Sequence, residues 1–145
     1  MVAKLRNRMA SEQSGFTLVE LLVVMLILGL LAAIAIPSFF NQRDKARDAD
    51  AKAKVRSAQT AMETFATDRN GVYTGATPAL LTGIEETLTG TPTLTIPAVA
   101  AGSYTVRVTS DTGNTFDIVR DANGNTTQPC ATAGEAGCPS DGTWD

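Results

Sequence analysis

The chain has 145 residues, a hydrophobic content of 43%, a formal net charge of −3 and no histidine. This length allows one small domain besides a membrane segment, and the lack of histidine excludes Ser-His and Cys-His nucleophile pairs. Basic residues are sparse beyond Arg69, which gives no electrostatic footprint for nucleic acid. We therefore expect no catalytic residues, no cofactor and no direct nucleic-acid site.

Residues 1–15 form a short basic leader that contains three basic residues, Lys4, Arg6 and Arg8, and one acid, Glu12. By the positive-inside rule, this leader stays in the cytoplasm and the rest of the chain lies outside. An ordinary secretory signal is cleaved after its apolar region, and cleavage of that kind near Ala35 is the alternative to a retained helix.

Residues 16–40 form an almost unbroken apolar segment, long enough to cross a hydrocarbon core about 30 Å thick. Glu20 lies inside this segment. Burying an unpaired carboxylate costs several kcal/mol, so an acid at this place is a functional-site hypothesis by default. The alternative is an acid at the membrane interface that snorkels or caps the start of the helix.

The start of the apolar segment resembles the N-terminal signature of type IV pilins and of the related pseudopilins of type II secretion. The resemblance rests on the run Gly15-Phe16-Thr17-Leu18-Val19-Glu20-Leu21-Leu22-Val23-Val24, followed by Gly29 and Pro37. It implies that a prepilin peptidase cleaves between Gly15 and Phe16 on the cytoplasmic side and that Phe16 is then N-methylated.

The same resemblance gives Glu20 a role in assembly. Glu20 lies about 6 Å along a helix from Phe16 and on the same face. The new α-amine of Phe16 is charged at neutral pH and can neutralise a buried carboxylate. In pilins this pairing is thought to join neighbouring subunits and to set their axial register.

Gly29 and Pro37 interrupt the apolar segment. Pro37 cannot donate a hydrogen bond to the carbonyl of Ala33, so we expect a bend or local loosening near residues 33–37. The resemblance implies that the segment from Gly29 to Pro37 loses helicity on assembly. The alternative is that both residues are simply tolerated in a membrane helix.

Residues 41–70 predict an amphipathic continuation of the helix. An apolar stripe recurs at three- and four-residue steps: Val55, Ala58, Met62 and Phe65. The charged residues predict a solvated face with i,i+4 pairs between Asp48 and Lys52 and between Asp50 and Lys54. Asn70-Gly71 predicts the stop, since both residues tolerate the left-handed conformation.

Residues 71–145 predict a connecting loop and a small antiparallel sheet. The loop is rich in Gly and Pro and predicts a short helix near residues 78–81. A strand at residues 94–96 is predicted to lie at an edge of the sheet or to end there, because of Pro97. Strands at residues 104–108 and 116–118 predict a hairpin, and a further strand is predicted near residues 126–130. We therefore predict an α+β fold in which a long N-terminal helix packs on a small antiparallel sheet, as in pilins.

Cys130 and Cys138 are the only cysteines. We expect them to be bridged, because they fall on the side of the membrane where disulfides persist. The pair resembles the C-terminal disulfide loop of many pilins, although the spacing is shorter than in many of them. A two-thiol metal site is the alternative, and it is disfavoured because the chain has no further Cys and no His.

A calcium loop is the remaining metal hypothesis. Asp121, Asn123 and Asn125 have the first spacings of such a loop, but Gly124 is one place early and Thr132 stands where a bidentate Glu belongs. We expect no metal.

Taken with the resemblance, these features predict a prepilin that spans the cytoplasmic membrane once and then joins an extracellular pilus. Its expected partners are copies of itself in a helical filament, the prepilin peptidase, the membrane, and the pilus assembly platform with its ATPase. The alternatives are a pseudopilin of type II secretion and, more distantly, a membrane-tethered binding or enzymatic head.

Overall fold

The computed structural model describes residues 15–144. The basic residues predicted to keep the leader inside the cell lie outside the described residues. The chain divides into two compact units, Met1–Phe39 and Phe40–Asp145, which are described separately.

The first unit contains the start of the long helix α1, which runs from Leu18 to Thr67. Its large apolar side chains are between 45% and 80% exposed. By length and composition, α1 is the one helix among the described residues that could cross a membrane, with a mean hydropathy of 2.9 in its most apolar window.

Gly29 and Pro37 both lie within α1. Residues on both sides of Pro37 are α-helical, so the helix continues through the proline, and a bend near residues 33–37 stays a prediction. Proline removes one backbone hydrogen bond, and the neighbouring turns of a long helix can maintain helical geometry around that loss.

The second unit holds the rest of α1, a short helix α2 (Pro78–Ile84), a 3₁₀ turn (Glu86–Leu88) and four strands. The strands are β1 (Thr93–Val99), β2 (Tyr104–Thr109), β3 (Thr115–Arg120) and β4 (Thr126–Thr127). They form one antiparallel sheet in the order β1-β2-β3-β4. The predicted α+β fold is confirmed.

Turn chemistry sets the sheet register. The β2–β3 hairpin closes with a bond from Ser110 N to Asn114 O at 2.8 Å, and Gly113 supplies the positive φ of 89° that the turn needs. β1 is an edge strand, as Pro97 predicts, and its register shifts between Thr95 and Ala98. β4 is shorter than the predicted strand, since Pro129 has no N–H to continue the ladder.

The core of the second unit lies between one face of α1 and the inner face of the sheet. The predicted helical stripe is confirmed, because all four of its residues are buried. On the sheet side, β2 alternates buried and half-buried residues. The inner face of the sheet and the C-terminal tail supply the three largest fully buried side chains, Trp144, Tyr104 and Phe116, together with Val106, Val108 and Ile118.

The end of α1 and the C-terminal tail close this core. α1 ends at Thr67, and the backbone N of Gly71 then caps the carbonyl of Ala66 at 2.8 Å with Gly71 at φ 83°. Trp144 is 1% exposed, meets Phe116 edge to face at 5.8 Å and donates from Nε1 to the carbonyl of Pro129. The tail is therefore part of the core.

Candidate functional site

Thr17 and Glu20 form a capping box at the start of α1. Thr17 donates to Glu20 Oε2 from its backbone N at 2.9 Å and from its hydroxyl at 3.0 Å, while Glu20 N donates back to Thr17 Oγ1 at 3.1 Å. Such a reciprocal pair satisfies backbone donors that a helix start leaves without partners. The capping role, left open by the sequence, is therefore present in the single chain.

Gly15 and Phe16 precede this box and lie outside the helix. The Phe16 side chain is 80% exposed, and a side chain added at Gly15 would meet nothing within 4 Å. The structure thus brings Gly15, Phe16 and Glu20 together at the start of α1, with the bond between Gly15 and Phe16 outside the helical ladder.

Gly29 and Pro37 lie farther along α1 and do not join this group. A Cβ added at Gly29 would meet nothing within 4 Å. Packing within the described chain therefore does not explain a glycine at this position, and any steric reason for it lies in whatever covers the helix from outside.

Asp48, on α1, is the main feature that the sequence did not predict. Its side chain is completely buried and its carboxylate binds two separate loops. It accepts from the Thr112 hydroxyl, from Asn114 Nδ2 at 3.0 Å and from the backbone N of Gly137 at 2.9 Å. Asp48 thereby fastens both the β2–β3 turn and the disulfide loop to the helix.

The surroundings of Asp48 favour its charged form. Burial alone would raise the pKa of this carboxyl, but the hydrogen bonds from Thr112, Asn114, Ser110 and Gly137 outweigh burial and lower the pKa below its usual 3.8. Because the pKa is depressed, the hydrogen bonds to ionised Asp48 contribute to stability at pH values above the pKa of the unfolded state. This contribution is lost as the pH falls through the pKa of the folded state.

Solvated pairs are predicted between Asp48 and Lys52 and between Asp50 and Lys54. The prediction is wrong for Asp48 and Lys54, because both of these side chains are buried. Asp48 binds the two loops, and Lys54 Nζ donates to the carbonyls of Thr89 and Gly90, both at 2.8 Å. Burial lowers the pKa of Lys54. Helical spacing shows which charges can meet on one helix, but not which of them a loop folds over.

A third charged group on α1 binds the sheet. Glu63 accepts from the hydroxyls of Tyr73 at 2.7 Å and Tyr104 at 2.9 Å, and Arg120 Nη1 lies 3.8 Å from it. Burial, and then the bond to Glu63, raises the pKa of both tyrosines, so their hydroxyls stay protonated donors at neutral pH. Asp48, Lys54 and Glu63 each tie a different part of the second unit to α1.

Cys130 and Cys138 form a disulfide with a Cα–Cα distance of 5.8 Å. The enclosed loop is held by short backbone bonds, including Cys138 N to Glu135 O at 2.9 Å. Because Gly137 N also binds Asp48, the disulfide loop is attached both covalently and by hydrogen bonding.

The loop that raised the calcium hypothesis is satisfied from within. Both oxygens of the Asp121 carboxylate accept bonds from its own turn, from the backbone N of Asn123 and from the backbone and side chain of Asn125. In residues 15–144, no group of three acidic, His or Cys side chains could hold a metal ion. The observed arrangement is that of an Asx turn.

Comparison with known proteins places these features in a family. The family model described as "Prokaryotic N-terminal methylation motif" matches residues 11–36. The chain is 36% identical over 91 residues to the type IV wide pilus major component PilA4 of Thermus thermophilus. The matched stretch covers 62% of this chain and 68% of that protein. No solved structure matches.

Two further relatives match over shorter stretches. The chain is 36% identical over 64 residues to the type IV major pilin protein PilA of Myxococcus xanthus, and 39% identical over 57 residues to the type II secretion system core protein G of Pseudomonas aeruginosa. These matches cover 44% and 39% of this chain, but only 29% and 40% of those proteins. An α+β head behind an exposed apolar helix defines a class of anchored or assembling proteins, and this chain belongs to the type IV pilin family with its related pseudopilins.

The Asp48 anchor can be tested at Gly137. A Cβ added there would lie 2.5 Å from Asp48 Cβ, so Gly137→Ala must displace the anchor and should lower the free energy of unfolding by about 1–3 kcal/mol. The measurement is urea unfolding of the oxidised full-length chain in detergent, followed by the fluorescence of the buried Trp144.

Gly83→Ala is the matched control for this substitution. Its added Cβ meets nothing within 4 Å and lies in the helix α2, so stability should be unchanged or higher by up to about 1 kcal/mol. Equal unfolding midpoints for the two variants would contradict the anchoring role of Asp48.

Proposed function

We propose that this chain is the structural subunit of a type IV pilus filament. It is made as a precursor that spans the cytoplasmic membrane once with its N-terminus in the cytoplasm, and it is then cleaved after Gly15, methylated at Phe16 and polymerised through its apolar helix. Its partners are the prepilin peptidase, the pilus assembly platform with its ATPase, and other copies of itself. The domain organisation is a leader of residues 1–15, an assembly helix of residues 16–40, an amphipathic helix of residues 41–70 and a head of residues 71–145.

The observation that carries the proposal is the exposure of the apolar residues of α1. Side chains such as Leu18, Met25 and Ile34 are 71% to 77% exposed. Each Å² of apolar surface kept in water costs roughly 25 cal/mol, so this segment needs either lipid or other copies of the helix around it. A subunit that passes from membrane to filament exchanges one apolar environment for another.

The capping box is compatible with an assembly role for Glu20. Both bonds from Thr17 reach Oε2, so the cap leaves Oε1 available to a second donor. In the proposed filament that donor is the methylated α-amine of Phe16 from a neighbouring subunit. A desolvated carboxylate without its partner is costly, so a charge pair of this kind favours the one axial register that brings the two groups together.

A pseudopilin of type II secretion is the second candidate. It is favoured by the 39% identity to a core protein G over 57 residues. Pilins and pseudopilins share the features of residues 15–37, so the discriminating property is whether the chain forms extended surface fibres.

Processing can be tested at Gly15. Because a side chain at this position has no neighbour within 4 Å, Gly15→Val should leave the fold intact. We expect the precursor to accumulate uncleaved in the membrane when the variant is co-expressed with a prepilin peptidase, as seen by intact mass. Gly83→Val is the control, and efficient removal of residues 1–15 from Gly15→Val would argue against this cleavage site.

The charge of Glu20 can be separated from its cap. Glu20→Gln keeps an oxygen that can accept from Thr17 but loses the charge, whereas Glu20→Ala loses both. Both variants should be cleaved normally, because the cleavage site is at Gly15. Breaking a buried charge pair costs about 3–5 kcal/mol, so the yield of sheared fibres should fall to about a tenth of the wild-type yield or below.

Asp50→Asn, which removes one charge from the exposed face of the same helix, is the control and should assemble normally. Wild-type fibre yield from Glu20→Gln would show that the hydrogen-bonding cap alone is required, and the register role would be abandoned.

A further inference from the structure

We propose that Arg43, Lys45 and Arg47 form a cationic collar that binds the phosphate groups of anionic phospholipids where α1 leaves the outer face of the membrane. This inference rests on the proposed function only in that the apolar helix occupies a membrane before assembly. The collar residues follow the apolar segment directly and belong to the same helix.

The length of the apolar segment places the collar at a membrane boundary. Residues 21–39 span about 28 Å at about 1.5 Å per residue, close to a hydrocarbon core of about 30 Å. With Glu20 at the inner boundary, the polar residues that begin at Asn41 fall at the outer one. Arg43 then lies within about one helical turn of Phe39, at headgroup depth.

The collar residues differ from the other basic residues of the second unit because they form no ion pair, side-chain hydrogen bond or ring contact within residues 15–144. Arg43 and Lys45 are exposed and Arg47 is half-buried. The other basic residues each contact a ring, a carboxylate or a backbone carbonyl: Lys52, Lys54, Arg56, Arg69, Arg107 and Arg120.

The charge balance of this stretch also favours an anionic ligand. One acid, the half-buried Asp44, opposes the three collar residues, and Asp48 is fully buried and bound by the loops. Residues 41–47 therefore carry a net charge of about +2, in a head whose remaining loops are acidic.

The distribution of the collar around α1 fits a lipid surface. At about 100° per residue, Arg43 and Arg47 project to one side and Lys45 to the other. Lys45 is exposed, so a headgroup can reach it, and the open cavity of about 690 Å³ that it also lines holds two acids, Asp44 and Glu135. A headgroup layer surrounds a helix that crosses it, so cations on both sides of α1 can bind phosphate groups at the same time.

The collar gives the membrane-resident subunit a defined depth. Cations at the outer headgroups oppose sinking of the helix, and Glu20 opposes movement in the other direction at the inner boundary. The subunit is thereby held with its apolar span matched to the bilayer until assembly removes it.

The test is native mass spectrometry of the full-length precursor in detergent micelles, titrated with phosphatidylglycerol or phosphatidylcholine. We expect the wild-type chain to retain phosphatidylglycerol preferentially. At about fivefold for each basic residue near an anionic surface, Arg43→Gln/Lys45→Gln/Arg47→Gln should lower this preference by at least about tenfold. The leader contributes equally in every variant, so the difference between variants reports the collar.

Two matched variants complete the experiment. Lys52→Gln/Arg56→Gln/Arg69→Gln makes the same change in net charge beyond the collar, breaks neither of the ion pairs of residues 15–144, and should keep the preference. Arg43→Lys/Lys45→Arg/Arg47→Lys keeps the collar charge and should also keep it.

Two results would overturn the proposal. One is an equal loss of preference in the distant triple variant, which would mean that net charge alone attracts the lipid. The other is an unchanged preference in the collar variant together with loss of fibres, which would assign the three residues to contacts between copies. The lipid measurement uses the unassembled precursor, so it stands even if the chain forms no pilus.

Discussion

The apolar half of α1 cannot be covered by its own chain, and this constraint governs the rest of the molecule. Its large side chains are 45% to 77% exposed, so the segment requires lipid or neighbouring helices around it. A carboxylate at Glu20 is tolerable in such a segment only with defined partners. The cap from Thr17 supplies one set of partners in the single chain, and the α-amine of a neighbour is the partner proposed for the filament.

In the second unit, a small head rich in loops is held on the helix by contacts of its own. Its apolar core is modest, and three charged side chains of α1 reinforce it by binding separate parts of the head. Asp48 holds the β2–β3 turn and the disulfide loop, Lys54 holds the carbonyls at residues 89–90, and Glu63 holds two tyrosine hydroxyls. Asp48 and Lys54 are buried, and breaking a buried, hydrogen-bonded charge is costly, so these two anchors stabilise one arrangement of the loops against others.

Periodicity and turn chemistry predicted most of the fold. The stripe from Val55 to Phe65, the β2–β3 hairpin and the edge position of β1 follow from spacing, from glycine and from Pro97, because these are local effects. The burial of Asp48 was missed because its partners lie more than sixty residues away along the chain. Thr17-Leu18-Val19-Glu20 did carry a signal for the capping box, since Thr and Glu three residues apart before an apolar run are typical of that motif. The helix continues through Pro37, and the bend that this proline predicts stays a prediction.

The central claim is that the apolar helix passes from a membrane to a fibre after processing. It is tested most directly by the intact mass of this protein in fibres sheared from cells, compared with the membrane fraction. The account predicts that the sheared species begins at Phe16, carries one N-methyl group and lacks the two thiol hydrogens of Cys130 and Cys138. A processed species found only in the membrane fraction, or an unprocessed chain in the fibres, would contradict it.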